Sequence, residues 1–433
     1  MRKLHSLFFV MVVVSVAIAA DEPRKPPTDL IPLTHSPELF PVLPWDVVYA
    51  PTMPLRSAKN GLESIAECNF SVAGFVRPDD LPLCKRLGLA AIMASSQDWT
   101  KIPDEEIDGR VKQMVEATAN NRTVLGYFIM DEPGATSFPK LGKVVAAVKK
   151  YAPGKLAYIN LFPSYATVGA PDSSQLGTAT FTEYLERYVT EVKPQFISYD
   201  NYMVQYSDDM KDEKQAAIYY SDLLEIRRVS QKYGLPFWNI VSCTLIQPPA
   251  AIPSPANFAF QAYTTLAAGG RGVSWYKYYE DGYAYAPIDH AGERTETWQY
   301  LQVVNRQVKM LGPTMNRLRS TGVFFTSPPP MKSMPLLPGR IVKSVVSKAS
   351  PRGFTKAQPP LMVGEFTDEK GTDYVMVVNL SLENSTNITL ETVKSCKAKQ
   401  VLSSETARLL PLDEKTGHWL AAGHGVLIRL ERS

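Results

Sequence analysis

The adjacent carboxylates Asp131 and Glu132 are the residues of this sequence best placed to do chemistry. They end an apolar run over residues 125–130, and Pro133 and Gly134 follow them. An apolar run of this length before a turn predicts a buried strand, and a strand buried on both faces excludes charge from its middle. The two acids must therefore either face a solvated cleft, where they could transfer protons, or cap the helix predicted over residues 137–151.

Seven other apolar runs are similar to this one, and amphipathic segments separate them. The predicted strands cover residues 42–48, 68–76, 89–94, 124–130, 156–161, 196–199, 237–242 and 272–276. The predicted helices cover residues 58–67, 80–87, 104–119, 137–151, 180–192, 214–233, 257–268 and 295–311. Strict alternation requires parallel strands joined by right-handed crossovers, and eight such units predict an α/β fold, the (β/α)8 TIM barrel. A doubly wound parallel sheet is the alternative.

The barrel fold would bring the C-terminal ends of its strands to one mouth, where functional groups gather. The sequence supplies mainly carboxylates and aromatic side chains at these ends. The catalytic candidates are Asp131 and Glu132 after the fourth strand and Asp200 after the sixth. The candidates for substrate binding, in chain order, are Trp45, Asp46, Arg77, Asn160, Tyr202, Trp238, Trp275 and Tyr276.

Several of these candidates also have a purely structural explanation. Asp200 could accept hydrogen bonds from backbone N–H groups at a polar strand end, and Trp275 and Tyr276 could pack at the barrel mouth rather than stack on a sugar. Arg77 could neutralise an acid in the mouth or bind an anionic substrate. The sequence leaves these alternatives open.

Composition and missing motifs exclude several classes of function. The 46 basic and 43 acidic residues give a net charge of +3, and no basic stripe for nucleic acid is present. After the N-terminal segment the histidines are His35, His290, His418 and His424, none beside a Ser or Cys elbow. The strand ends offer no His cluster for a metal, and no glycine-rich phosphate loop opens a helix. We therefore expect no metal, no cofactor and no nucleic-acid partner.

Two carboxylates between aromatic walls form the arrangement that cleavage of a glycosidic bond requires. The leaving oxygen must be protonated, and the oxocarbenium-like transition state needs a negative charge or a nucleophile on its other side. Glu132 suits the acid, because partial burial at an apolar strand end would raise its pKa toward the working pH. The expected partner is an oligo- or polysaccharide.

The two ends of the chain differ from the predicted barrel. Residues 1–20 combine Arg2 and Lys3, an apolar run and an Ala-x-Ala site, which is typical of a cleavable signal peptide. No later apolar run is long enough to span a bilayer, so we expect a secreted or periplasmic protein without stable membrane insertion. The barrel with an N-terminal arm is predicted over residues 21–319, a Pro-rich linker over 320–340, and a small antiparallel β-sandwich over 341–433.

Eight βα units, the strand-four sequence Tyr-Phe-Ile-Met-Asp-Glu-Pro, Trp275 on strand eight and a trailing β-sandwich together resemble a (β/α)8 glycoside hydrolase. In the large clan of retaining barrel glycosidases, strand four carries Asn-Glu with the Glu as acid/base, and strand seven carries a nucleophilic Glu. Glu132 matches the first position. Asp131 replaces the Asn, and residues 237–244 contain no acid, so the resemblance does not extend to that double-displacement assignment.

Three mechanisms stay open on this resemblance. An adjacent Asp-Glu pair is similar to the substrate-assisted hexosaminidases, which would make Glu132 the acid, Asp131 the residue that orients an acetamido group, and Tyr202 an assisting residue. Alternatively, Asp200 is the second carboxylate, and a close approach to Glu132 would favour direct displacement. A third assignment, with Asp131 as nucleophile and Asp200 as acid/base, is similar to some α-glycosidase barrels, but Ile129 replaces their usual lysine. A glycan-binding protein with a decayed catalytic barrel is the alternative function.

Overall fold

The computed structural model of the protein describes residues 38–45, 61–167, 174–205, 217–245, 253–279, 282–348 and 358–432. The predicted signal peptide, most of the predicted N-terminal arm and the candidate Asp46 lie outside these residues. Among the helices that are described, none combines the length and the apolar composition needed to cross a membrane.

Eight parallel strands form the first domain, as the sequence predicts. They are hydrogen-bonded in the order β1-β8-β7-β6-β5-β4-β3-β2, and every pair in this sheet is parallel. Their bounds are β1 Val42–Pro44, β2 Val72–Val76, β3 Ala90–Met93, β4 Val124–Asp131, β5 Leu156–Leu161, β6 Ile197–Asp200, β7 Phe237–Ser242 and β8 Val273–Tyr276. The (β/α)8 barrel prediction is confirmed, and the doubly wound alternative is wrong because the strand order follows the chain around one ring.

A serine connects the first two strands of the barrel by hydrogen bonds. Ser71, just before β2, donates its backbone N–H to the Val42 carbonyl at 3.1 Å, and its Oγ accepts the Val42 N–H at 2.8 Å. The same hydroxyl donates to the carbonyl of Phe40. These bonds connect β1 to β2 where no regular ladder joins them.

In the described residues, eight α-helices alternate with the strands and cover the barrel. Their bounds are α1 Leu62–Glu67, α2 Leu81–Arg86, α3 Ile107–Val115, α4 Phe138–Tyr151, α5 Phe181–Arg187, α6 Ile218–Tyr233, α7 Pro255–Ala267 and α8 Glu296–Met315. Ser254 caps α7 by accepting the Asn257 N–H at 3.2 Å, and Thr180 caps α5 in the same way. Nearly every residue of α7 is buried, because this helix lies between the barrel and the second domain.

The second domain is the expected antiparallel β-sandwich. A three-stranded sheet, β10-β13-β16, faces a six-stranded sheet, β15-β14-β17-β12-β11-β9. The bounds are β9 Arg319–Phe325, β10 Val342–Lys348, β11 Leu361–Thr367, β12 Asp373–Asn379, β13 Thr386–Thr392, β14 Cys396–Leu402, β15 Leu409–Pro411, β16 His418–Leu420 and β17 Gly425–Arg432. One boundary needs correction: β9 begins the segment predicted as a linker, and it pairs with β11 from Arg319 to Phe325.

The six-stranded sheet has two buried faces. One face supplies Val363, Val377 and Ile428 to the interior of the sandwich. The other face joins the main core of the barrel layer through Met362, Met376 and other side chains. The approach is close, since a Cβ on Gly364 would lie 2.2 Å from the Ala267 carbonyl oxygen of α7. The two domains therefore share one continuous apolar core.

The contact between β4 and β5 gives a test of barrel packing beneath the candidate acids. A Cβ added at Gly126 would lie 2.6 Å from the Leu156 carbonyl oxygen and 2.7 Å from its Cβ. We expect Gly126→Ala to lower the free energy of unfolding by about 1–3 kcal/mol, because the two strands would have to separate. Urea unfolding measures the change.

Gly109 on α3 is the matched control, because a Cβ there meets nothing within 4 Å. Gly109→Ala should stabilise the protein by about 0.5–1 kcal/mol through helix propensity. Equal effects of the two substitutions would contradict the close strand approach.

Candidate active site

The end of β4 brings two carboxylates to the barrel mouth. The register of β4 against β5 is irregular between Phe128 and Met130, and such a bulge redirects the side chains that follow. Glu132 then adopts φ +43°, in the left-handed region that non-glycine residues rarely occupy. Its N–H donates to the Asn160 carbonyl at 2.9 Å, which holds this conformation. Strain of this kind collects at functional sites and costs on the order of 1–3 kcal/mol.

Glu132 and Asp200 face each other across the mouth. Their carboxyl groups lie close enough to repel each other, although they come from the ends of β4 and β6. Asp200 is 4% exposed and Glu132 is half-buried. Two carboxyl groups this close in a partly dry site favour protonation of one of them, because ionising both would bring two like charges together.

The pKa values of both groups are raised, for the same two reasons. Burial raises the pKa of Glu132 above its usual value, and repulsion from Asp131 adds to the effect. Burial raises the pKa of Asp200 further still, followed by repulsion from Glu132 and Asp131. Because Asp200 is buried more deeply than Glu132, it has the higher pKa and stays protonated to a higher pH.

Asp131 is the carboxylate of the site that reaches solvent. Its Oδ1 accepts a hydrogen bond from Asn160 Nδ2 at 3.0 Å, and Asn160 Oδ1 in turn accepts from Ser198 Oγ at 3.2 Å. Loss of hydration inside the mouth raises the pKa of Asp131, while the Asn160 bond opposes that shift. Asn160 therefore orients Asp131, a different role from the substrate contact expected for it.

A buried acid that the sequence analysis did not single out fixes the loop after β6. Asp222 on α6 accepts through Oδ2 from the Ser164 N–H at 3.1 Å and from Asn201 Nδ2 at 2.8 Å. Asn201 follows Asp200 directly, so this network positions the acidic pair. The signal was present in the sequence, because Asp222 lies three residues after Tyr219 and four before Ile226, on the apolar face of α6.

Tyrosine side chains form one wall of the mouth. The rings of Tyr202 and Tyr276 lie 5.2 Å apart at 33°, and Tyr276 Oη donates to Tyr283 Oη at 3.1 Å. The hydroxyl of Tyr202 lies close enough to Asp200 to favour its ionised form. Tyr165 accepts the N–H of Tyr202 at 3.3 Å. Tyr165 and Tyr283 follow no strand directly, so strand-end reasoning could not find them.

Two residues that were predicted to bind substrate do not reach the mouth. Trp238 is fully buried inside the barrel, where its ring packs 4.8 Å from Phe196 and 5.4 Å from Tyr158. Trp275 points outward to the helices, and its Nε1 donates to Asn305 Oδ1 at 2.8 Å. Neither can contact a substrate, because both side chains are completely enclosed. Strand alternation sends Trp275 out and Tyr276 in.

The remaining candidates lie near the mouth. Trp45 is 8% exposed and packs edge-on against Phe75, Phe128 and Tyr158, with centroid distances of 5.0, 5.8 and 5.5 Å. These rings close the mouth from below. Arg77 is exposed at the end of β2, and its N–H donates to Asp80 Oδ2 at 3.0 Å. Within the described ranges, no group of three His, Cys, Asp or Glu side chains is arranged to hold a metal ion.

Asp222 gives a test of the network behind the site. Burial raises the pKa of Asp222 to about 7, against about 3.9 in an unfolded chain. Between these values the folded protein binds the extra proton, so this group's contribution to stability is present below about pH 4 and lost as the pH rises to 7. We expect Asp222→Asn to reduce the pH-dependent loss of unfolding free energy by on the order of 1–4 kcal/mol.

Urea unfolding at pH 4.5 and pH 7.5 measures this difference. Asp79→Asn, at an exposed position, is the control and should leave the pH dependence as in the wild type. An unchanged pH dependence in Asp222→Asn would show that Asp222 is ionised in the folded protein.

Comparison with known proteins gives similarity of structure without similarity of sequence. No family model and no curated protein matches the chain. A GH42 β-galactosidase from G. stearothermophilus matches with a TM-score of 0.55 and 9% identity, over 93% of this chain and 100% of that one. A glycoside hydrolase family 5 protein from Bacteroides vulgatus matches with a TM-score of 0.52 and 12% identity, over 91% and 89%.

A third structure, a β-galactosidase from the psychrophilic Marinomonas ef1, has a TM-score of 0.45 and 10% identity. The match covers 64% of this chain, and the chain spans 60% of that protein. The first two structures, whose TM-scores exceed 0.5, confirm the resemblance to glycoside hydrolase barrels as a likeness of fold, and the family is not identified.

Proposed function

We propose that this protein is an exported glycoside hydrolase, with the neighbouring Glu132 and Asp200 carboxyl groups beside Asp131 as its catalytic centre. The gathering of these three acids at one end of the barrel is the observation on which the proposal depends. A buried pair of like charges is costly, and proteins keep such pairs mainly where a proton must be stored and delivered. The fold shared with glycoside hydrolases supports the same reaction class by analogy.

The pair is suited to act as one proton donor. Carboxyl groups that flank a scissile bond lie about 5–5.5 Å apart in retaining enzymes and 6.5–9.5 Å apart in inverting ones. Glu132 and Asp200 repel each other as close neighbours, so we assign them together to one side of the scissile bond. Asp200 holds the proton in the interior, and Glu132, which reaches the open mouth, passes it to the leaving oxygen. This assignment keeps Glu132 as the acid.

Asp131 is then the negative charge on the other side of the bond. Loss of hydration raises its pKa, and the hydrogen bond from Asn160 opposes that shift and favours the ionised form. An ionised carboxylate there can stabilise an oxocarbenium-like transition state, or it can orient a substrate acetamido group that attacks internally. Tyr202 and Tyr276 supply the aromatic wall on which a sugar ring would lie.

The decisive variant is Glu132→Gln, which keeps the shape of the side chain and removes its proton. We expect kcat on aryl glycosides with poor leaving groups to fall by about 10²–10⁴. For substrates whose leaving groups need no protonation, kcat should fall much less, because the substitution removes only the proton donor. Initial rates on paired α- and β-aryl glycosides, including galactosides and N-acetylhexosaminides, measure both effects.

Glu105→Gln is the matched control, since Glu105 is exposed just before α3 and takes part in none of the contacts described for the site. It should retain full activity, and circular dichroism should show both variants folded. A wild type that binds glycans yet hydrolyses none of these substrates would favour the other candidate function, a glycan-binding protein with a decayed barrel. The empty strand-seven position supports that candidate.

Export is the remaining part of the proposal and depends on residues 1–20 alone. When the full chain is expressed in a secreting host, we expect a mature protein outside the cytoplasm that begins near Asp21. N-terminal sequencing and fractionation test this. Retention of Met1 in a cytoplasmic product would contradict export and would leave the hydrolase proposal untouched.

A further inference from the structure

A second concave site lies at the opposite end of the barrel from the carboxylates. It is a cavity of about 210 Å3 between α6, the start of β7, the turn before β8 and the first residues of β9. Phe237, the first residue of β7, forms part of its wall. Because β7 spans six residues at about 3.3 Å each, this cavity is roughly 15–20 Å from the mouth.

Three arginines line this cavity, and no carboxylate lines it. They are Arg227 from α6, Arg319 from β9 and Arg340 from the segment before β10. In the part of the chain that is described, none of the three forms an ion pair with a carboxylate. A neighbouring acid, Glu365, is fully buried and is already occupied by the backbone N–H groups of Arg340, Ile341 and Val342.

Arg227 is the partly buried member of this group, and Arg319 and Arg340 are exposed. The Nε and Nη2 of Arg227 donate only to the hydroxyl of Ser320, at 3.3 and 3.2 Å. Loss of hydration lowers the pKa of Arg227 to about 10. An anion bound beside Arg227 would compensate its charge, and the two exposed arginines would add further attraction.

The polar groups around the cavity also favour an anion. Thr321 Oγ1 is buried and has no hydrogen-bond partner among the described residues, although it lines the cavity. Gln231 Nε2 donates to the Ser320 carbonyl at 2.9 Å and so fixes the start of β9 against α6. A hydroxyl donor and planar guanidinium groups are suited to the oxygens of a tetrahedral anion.

We propose that this cavity, which Arg227, Arg319, Arg340 and Thr321 line, is a binding site for a compact tetrahedral oxyanion, either phosphate or sulfate. The volume is below the range of about 300–1,000 Å3 that drug-sized ligands occupy, so the ligand is small. Arg227 belongs to the barrel, and Arg319 and Arg340 belong to the β-sandwich side. The anion therefore connects the two domains and stabilises their junction.

The test uses inorganic phosphate and inorganic sulfate as separate probes, with sodium chloride added to keep the ionic strength constant. We expect one or both to raise Tm in a saturable way, whereas chloride alone does not, because a bound ligand stabilises only the folded state. The double variant Arg319→Gln/Arg340→Gln should weaken the apparent affinity about 10- to 100-fold, as expected for loss of charge-assisted hydrogen bonds.

The matched control is Arg86→Gln/Arg408→Gln, which removes the same charge at exposed positions outside the cavity. It should leave the affinity unchanged. Thr321→Val removes only the unpartnered hydroxyl and should weaken binding several-fold in a folded protein. The proposal is overturned if neither anion stabilises the protein more than chloride does, or if the control loses as much affinity as Arg319→Gln/Arg340→Gln.

Discussion

Repulsion among the carboxyl groups of Glu132, Asp200 and Asp131 is the constraint on which the arrangement of the mouth depends. Both groups lie where hydration is reduced, and each is repelled by the other and by Asp131. Full ionisation of the pair would place two neighbouring charges in a medium of low polarity, at a cost of several kcal/mol. A proton bound to one of the two groups removes that repulsion. The fold therefore favours a protonated carboxyl group in the mouth.

Local structure on both strands holds the pair together. Just after β6, Asn201 is held in place by two hydrogen bonds. Its backbone N–H donates to the Ile240 carbonyl at 3.0 Å, and its side chain donates to Asp222. On β4, the left-handed backbone of Glu132 stores strain that the hydrogen bond to Asn160 maintains. The aromatic rings below the mouth offset these costs, since the cluster around Trp45 and Tyr158 buries large apolar surfaces.

The barrel and the three candidate acids could be predicted from the apolar runs of the sequence. The direction in which other side chains point could not be predicted from those runs. An apolar run that ends in acids marks a buried parallel strand and its exit, which located Asp131 and Asp200. The same run hides which side chains face the interior and which face the helices, because both faces are apolar. Trp238 and Trp275 were misassigned in this way. Asp222 lies on a helix, where strand-end reasoning does not look, and β9 was taken for a linker because prolines follow it.

The end of β7 explains why the acids come from strands four and six. Ser242 is tied there to Gln261 of α7, since its N–H donates to Oε1 and its carbonyl accepts from Nε2, both at 2.9 Å. Its hydroxyl donates to the Thr244 carbonyl at 2.8 Å, so this strand end is closed by internal hydrogen bonds and offers no carboxylate. The retaining barrel glycosidases that the chain resembles use that position for their nucleophile. A shared fold fixes where chemistry occurs and leaves open which strand supplies it, and in the described part of this mouth the ends of β4 and β6 supply the carboxyl groups.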